Sequence, residues 1–224
     1  MFRSPLGLTV ILALLTATML LLAAIPIAYG LAFSRTRWTV VGESLVSLTL
    51  VLPPAVLGYG ILVLFSPRNP FGHLVATGLG HPLPFSFAGL VLASILYSLP
   101  FAVQPVVQSF RSIPPGYLES ATSLGAGRFV RLVRVILPLS FEGILTGWVL
   151  SFAHTVGEFG VVLMVGGNIP GETRTLSLAA YDALLSMEPG RASRAIGILL
   201  LFSLGSLLAL NLIQQRRRWT DNGS

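Results

Sequence analysis

Four stretches of the chain, residues 5–34, 44–66, 85–110 and 195–213, contain no charged residue, and a fifth apolar stretch, 139–166, carries Glu142 near its entrance and Glu158 about 16 residues in. A membrane-crossing helix needs about 20 predominantly apolar residues, so each stretch is long enough to span. The spacing predicts five transmembrane helices at about 6–33, 44–66, 85–110, 139–166 and 195–214, in a single all-α domain covering residues 1–224. The first run far exceeds the apolar core of about 7 to 15 residues in a cleaved signal, and it reads as a retained span. Pro53 and Pro54 sit at the centre of the second run. They predict a kink or break at mid-membrane depth, tolerated only where the freed carbonyls face protein or a water-filled cavity. Pro100 and Pro105 bracket the later part of the third span, with Gln104 and Gln108 one turn apart, which predicts a kinked helix that is polar on one face.

The connections carry the remaining polarity. Residues 67–84, rich in Gly, Pro, Asn and His, are expected to form a loop. Residues 166–176 read as a tight re-entrant or surface turn, with Arg174 pairing with Glu172 or attracting an anion. Thr175 is placed to cap a short helix through Met187 with Leu176, Ala179, Ala180, Ala183 and Leu184 on one face. Residues 219–224 read as a disordered end.

Composition agrees with the pattern. The chain is 54% hydrophobic and 10% charged, with a mean hydropathy of +0.83; a soluble domain carries about 25% charged residues. The net charge of +6 rests on arginine, since there is no lysine. In a soluble protein that balance would suggest nucleic acid; here the arginines gather in short connections and fix topology instead. Arg35, Arg37, Arg111, Arg128, Arg131, Arg134, Arg216, Arg217 and Arg218 fall on one side of a five-span arrangement, and Arg3, Arg68, Arg174, Arg191 and Arg194 on the other. Nine against five predicts an outer N-terminus and a cytoplasmic C-terminus. With no cysteine, disulfides and thiolate chemistry are excluded.

One long connection, residues 111–138, interrupts the membrane pattern. Pro114 and Pro115 end the preceding helix and suit the first turn of a new one. Gly125 and Gly127 break that helix, and Arg128, Arg131 and Arg134 then recur on one face of a second piece, leaving Phe129, Leu132, Val133 and Ile136 to pack. Within it, Glu119-Ser120-Ala121, three residues, Gly125, nine residues and Val135-Ile136-Leu137-Pro138 resemble the cytoplasmic loop of importer-type ABC permeases, in which a Glu-Ala-Ala triplet, a glycine and Ile-x-Leu-Pro recur at this spacing. Ser120 and Val135 depart from that pattern by small changes. The resemblance implies that Glu119, Ser120, Ala121, Gly125, Val135, Leu137 and Pro138 couple the chain to a separate cytoplasmic ATPase. An ordinary amphipathic loop helix is the plainer alternative.

Glu158 stands out because a carboxylate inside a span costs about 2–3 kcal/mol or more on insertion scales, so it should face a cavity, a partner or solvent. His154 lies one turn earlier on the same face, with Gly157 and Phe159 beside Glu158. Three readings stand: a gate or pathway group of His154, Gly157, Glu158 and Phe159; a metal site, weakly supported by two ligands without a third; or a hydrogen-bonded helix-packing pair.

The run Gly157-Glu158-Phe159-Gly160 followed by Asn168-Ile169-Pro170-Gly171-Glu172-Thr173-Arg174-Thr175-Leu176 resembles the oxyanion branch of these permeases, molybdate permeases most closely, with sulfate permeases sharing the first motif only. The resemblance covers nearly the whole chain. It implies a homodimeric inner-membrane permease embedded in lipid, a cytoplasmic ABC ATPase dimer that uses ATP and Mg, and a periplasmic binding protein delivering molybdate or tungstate. No phosphate loop, nucleophile elbow or metal triad is present, so the chain is expected to bind no cofactor or metal and to be no enzyme itself. The rival class is a non-transporting membrane scaffold, against which the kinked spans and the intramembrane carboxylate argue.

Overall fold

The computed structural model describes residues 4–34 and 36–221; Arg3, Arg35 and residues 222–224 lie outside the described residues, as do the side chains of Arg216, Arg217 and Arg218. Among the described residues all regular structure is helical.

Helix α1 (Pro5–Phe33) starts where the Ser4 hydroxyl accepts the Gly7 N–H and Pro5 occupies the first turn. Its 29 residues exceed what a bilayer core requires. The second apolar run breaks where the two prolines predict an interruption. Helix α2 (Trp38–Val51) and helix α3 (Pro54–Phe65) meet at 110°, because Leu52, which precedes Pro53, is driven to extended backbone and the two prolines cannot donate to a continuing helix. Neither piece, at 14 and 12 residues, is long enough to cross alone. The expected loop at 67–84 contains a further helix, α4 (Pro70–Leu79). Asn69 caps it by accepting the Phe71 N–H, and Gly80 closes it at φ 77°, so local capping prevails over the broken composition.

Helix α5 (Phe87–Arg111) carries both Pro100 and Pro105 within one continuous element. The long connection then folds as α6 (Pro115–Ser123), α7 (Arg128–Arg131), a π-helical turn over Leu132–Ile136, and α8 (Leu137–Leu139). The fourth apolar stretch is also divided. Helix α9 (Phe141–Gly157) stops at Glu158, and α10 (Gly160–Gly166) follows Phe159. Helix α11 (Leu176–Leu185) is capped by Thr175 as the spacing predicts, ending two residues before Met187. Leu176, Ala180 and Ala183 of its expected apolar face are buried, whereas Leu184 is exposed. Helix α12 (Pro189–Asp221) begins before the apolar run and includes residues 219–221, which the sequence reading left disordered. Helices α1, α5 and α12 are each long and apolar enough to cross a membrane; counting α2 with α3, and the helical segment Arg128–Leu139 with α9, which meet at 73°, as one bent span each raises the number from three to five.

The core sits where α1, α5 and α9 pack. Leu20, Ala24 and Ala28 of α1 meet Val103, Val106 and Phe110 of α5, with Phe33 stacked on Phe110. The crossing of α5 and α9 is set by glycine. A Cβ at Gly147 would lie 2.7 Å from the Ala102 carbonyl oxygen, and one at Gly143 the same distance from that of Pro105. Small residues of this kind bring helix backbones together where lipid supplies no hydrophobic drive. Most of α12 is uncovered, with Leu200, Leu201, Leu204 and Leu208 exposed.

This close crossing generates a test. Gly147→Ala should destabilise the protein by about 1–3 kcal/mol through overpacking, read as a lower unfolding temperature in detergent. Gly197→Ala, where a Cβ meets nothing within 4 Å, should not lower it. Equal temperatures for both variants would remove the glycine contact as a determinant of the core.

Candidate functional site

Helix α6 buries no residue; Tyr117, Glu119 and Ser120 are exposed on it, Ala121 is half-buried, and Leu124, which follows its last residue, is exposed. Its end is a geometric requirement: Gly125 sits at φ 79°, a left-handed conformation that a side chain opposes. The arginine face expected after it is only partly as read. Ile136 is buried and Leu132 packs on the core, but Phe129 and Val133 stay exposed, and from Leu132 the segment leaves the α-helical register for a π-helical turn. Leu137 packs on the core, Val135 is half-buried and Pro138 is exposed. The coupling-loop candidates therefore form one protruding unit on a hydrophobic base. Arg131 braces it through a 2.8 Å hydrogen bond to the Thr122 hydroxyl.

The second candidate group lies at the end of α9. His154 and Glu158 do not bond to each other; each meets a serine of α5. The Ser94 hydroxyl donates to Glu158 Oε2 at 2.6 Å, and Ser98 Oγ lies 2.9 Å from His154 Nδ1 and 3.1 Å from Thr155 Oγ1. Ser94 and Ser98 are one turn apart, matching the interval between His154 and Glu158. Glu158 is 3% exposed, and its Oε1 has no hydrogen-bond partner among the described residues. Its carbonyl accepts the Ser177 hydroxyl at 2.6 Å, so the backbone freed at the α9/α10 break is tied to α11. Phe159 packs against Tyr181 of α11, and Gly157 is exposed with open space around it. Among the described residues no cluster of metal-ligating side chains occurs.

The sequence reading missed Tyr97 and Phe101. The His154 ring lies 4.1 Å from Phe101, stacked, and 4.9 Å from Tyr97. Tyr97, Phe101, Gln104, Gln108 and Arg111 follow one face of α5 and are half-buried or exposed. The serine interval at 94 and 98 and the Gln pair were the available signals. At the lower end of this face Gln104 donates to the Ser47 hydroxyl of α2 at 3.1 Å, and Arg111 bonds Glu43 of α2 and the Leu31 carbonyl.

The loop after α10 corrects one expectation. Arg174 pairs not with exposed Glu172 but with Asp182 of α11 at 3.4 Å, and its Nε donates to Asn168 Oδ1 at 3.0 Å. Asn168 also donates to both Asp182 oxygens, which draws the arginine toward α11.

Residues 21–219 match the family described as the inner membrane component of binding-protein-dependent transport systems. The chain belongs to this family. As a member, the permease is a multi-pass protein of the inner membrane. It is 48% identical over 204 residues to the molybdenum transport system permease protein ModB of Azotobacter vinelandii, covering 91% of the permease and 90% of the relative. Against ModB of Escherichia coli K12 identity is 36%, with 83% and 82% covered. The sulfate transport system permease protein CysT of the same strain is 31% identical, with 83% and 68% covered. In fold, the permease superposes on a chain of a bacterial alginate ABC transporter complex with a TM-score of 0.71 at 19% identity, covering 94% of this chain and 77% of that one.

The buried carboxylate supplies a prediction. Glu158→Leu leaves the Ser94 hydroxyl unpaired and should cost about 1–3 kcal/mol, whereas Glu158→Gln keeps an acceptor and should cost less. Unfolding temperatures that rank the glutamine variant below the leucine variant would overturn the role assigned to the Ser94 bond.

Proposed function

We propose that the chain is the membrane-spanning subunit of an importer that moves molybdate, and tungstate by the same chemistry, across the inner membrane. The observation that carries this reading is the 48% identity to a molybdenum permease across nearly the full length of both chains, against 31% to the sulfate permease. Two copies form the translocating unit around a shared path. A periplasmic binding protein delivers the anion, and a cytoplasmic ABC ATPase dimer hydrolyses MgATP, while this chain performs no chemistry. The N-terminus is outside and the C-terminus inside, in keeping with the arginine asymmetry.

In this mechanism α6 enters a cleft of the ATPase, with Glu119, Ser120 and Ala121 at the contact. The π-helical turn and α8, through Val135, Leu137 and Pro138, carry its displacement into α9. The exposed α6 surface and its left-handed glycine stop support that role. His154, Gly157, Glu158 and Phe159 form the gate at the α9/α10 break. The α5 face of Tyr97, Phe101, Gln104 and Gln108 lines the path, since polar side chains at membrane depth belong beside water or protein rather than lipid. Within the path, uncharged donors suit a dianion that must pass without being retained.

The decisive experiment measures ATP hydrolysis by the reconstituted transporter with the binding protein loaded in turn with molybdate, tungstate or sulfate. Stimulation by the first two alone is the expected result. Equal stimulation by sulfate would replace this reading with a general oxyanion permease, and none at all would favour a scaffold. Gly125→Leu must hold a side chain at φ 79°, a cost of about 1–2 kcal/mol, and should abolish substrate-stimulated hydrolysis or ATPase assembly. Normal assembly with unchanged transport would exclude the coupling role.

A further inference from the structure

A cleft of about 510 Å³ opens where α1 ends against the long connection, lined by Tyr29, Gly30, Phe33, Ser34, Leu118, Arg128, Arg131 and Ile136. Its chemistry is divided. Ile136 is buried, and Tyr29, Phe33 and Leu118 pack against the core beside it, so the base is apolar. Arg128 and Arg131 stand on the wall, and Ser34 places a hydroxyl at the rim. Arg131 spends one nitrogen on Thr122, while Arg128 has no acidic partner among the described residues. Two guanidinium groups without a carboxylate, beside a hydroxyl, are suited to an oxyanion, and guanidinium matches phosphate geometry with paired donors.

The surroundings decide which phosphate source fits. Met19, Leu22, Ala23, Pro26, Ile27 and Gly30 form an exposed stripe along α1 that runs from within the membrane to the mouth of the cleft at Gly30. Trp38 and Val40, just beyond the end of α1, are 78% and 67% exposed. Exposed tryptophan at a helix end is the arrangement found at the boundary between hydrocarbon and headgroups. An apolar track ending at a doubly basic cleft on this boundary has the form of one phospholipid molecule, acyl chain on the stripe and phosphate between the arginines. Basic pockets among membrane helices hold anionic lipid headgroups by the same physics.

We propose that this cleft binds an anionic phospholipid, with Arg128 and Arg131 holding the phosphate and the α1 stripe from Met19 to Gly30 receiving an acyl chain. Bound there, the lipid bridges α1 and the segment leading from α6 to α9. The site does not depend on which anion the permease moves.

The test uses the full chain purified in detergent and reassembled in nanodiscs of phosphatidylglycerol mixed with phosphatidylcholine, with retained lipid measured by native mass spectrometry. Wild type should retain phosphatidylglycerol over phosphatidylcholine, and Arg128→Gln with Arg131→Gln should reduce that retention by about tenfold or more. Gly30→Leu closes the mouth at a position where a Cβ meets nothing within 4 Å, so it should fold normally and lose the lipid by obstruction. Unchanged retention in both variants, with unfolding temperatures in pure phosphatidylcholine equal to wild type, would overturn the proposal. So would displacement of the lipid by millimolar inorganic phosphate or molybdate, which would make the cleft a site for a free anion.

Discussion

At Gly143 and Gly147 the backbone of α9 lies against that of α5 with no room for a side chain, and the rest of the structure depends on that approach. Inside a membrane, apolar side chains gain little by leaving lipid for protein, so association relies on contact area and on polar groups that need partners. The glycine crossing supplies the contact. It also sets the distance at which Ser94 and Ser98 reach Glu158 and His154. A wider crossing would strand a carboxylate in a low-dielectric interior, where its alternatives are costly.

The same constraint accounts for the broken helices. Where α9 stops, the freed carbonyl of Glu158 is taken by Ser177 rather than left to lipid. Where α10 stops, the Thr173 hydroxyl donates to the Gly166 carbonyl at 2.6 Å and accepts the Ile169 N–H at 2.9 Å. The α11 start is held in turn by Thr9 of α1, which accepts the Leu176 N–H at 2.8 Å. Short hydroxyl side chains thus replace solvent at the interruptions between α9 and α11, and they let a non-helical backbone persist at membrane depth. The α2/α3 bend has fewer such ties. Val46 is the one buried residue of α2; it joins the cluster with Val103 and Val107 of α5, and Ser47 and Glu43 add polar contacts to Gln104 and Arg111. That leaves α2 the more weakly held wall of the polar α5 face.

The protruding connection follows a different rule. Ile113 and Ile136 anchor it in the core, with Leu118, Leu132 and Leu137 packed beside them, while the form of its exposed part comes from local chemistry: prolines at the start of α6, a left-handed glycine at its end, and the Arg131 to Thr122 brace. Local devices of this kind are legible in a sequence, and the positions of Pro115, Gly125 and Gly127 were read directly from it. The π-helical turn was not legible, since a one-residue change of register leaves no compositional mark, and nor was the exposure of Phe129 and Val133, which were expected to pack.

By itself, the sequence determined the helical class, the apolar lengths, the chain breaks at Pro53, Gly125 and Gly167, the Thr175 cap and the family to which the motifs belong. Each rests on hydropathy or on the φ and hydrogen-bonding limits of single residues, which act over one turn of chain. Tertiary structure alone decided that α2 and α3 meet at 110°, that Arg174 chooses Asp182 over Glu172, and that His154 lies on Phe101 with Ser98 at its Nδ1. Those outcomes depend on which helix face meets which neighbour. Residues 56 or more apart in the chain, as Ser98 is from His154, are brought together only by the packing of whole elements.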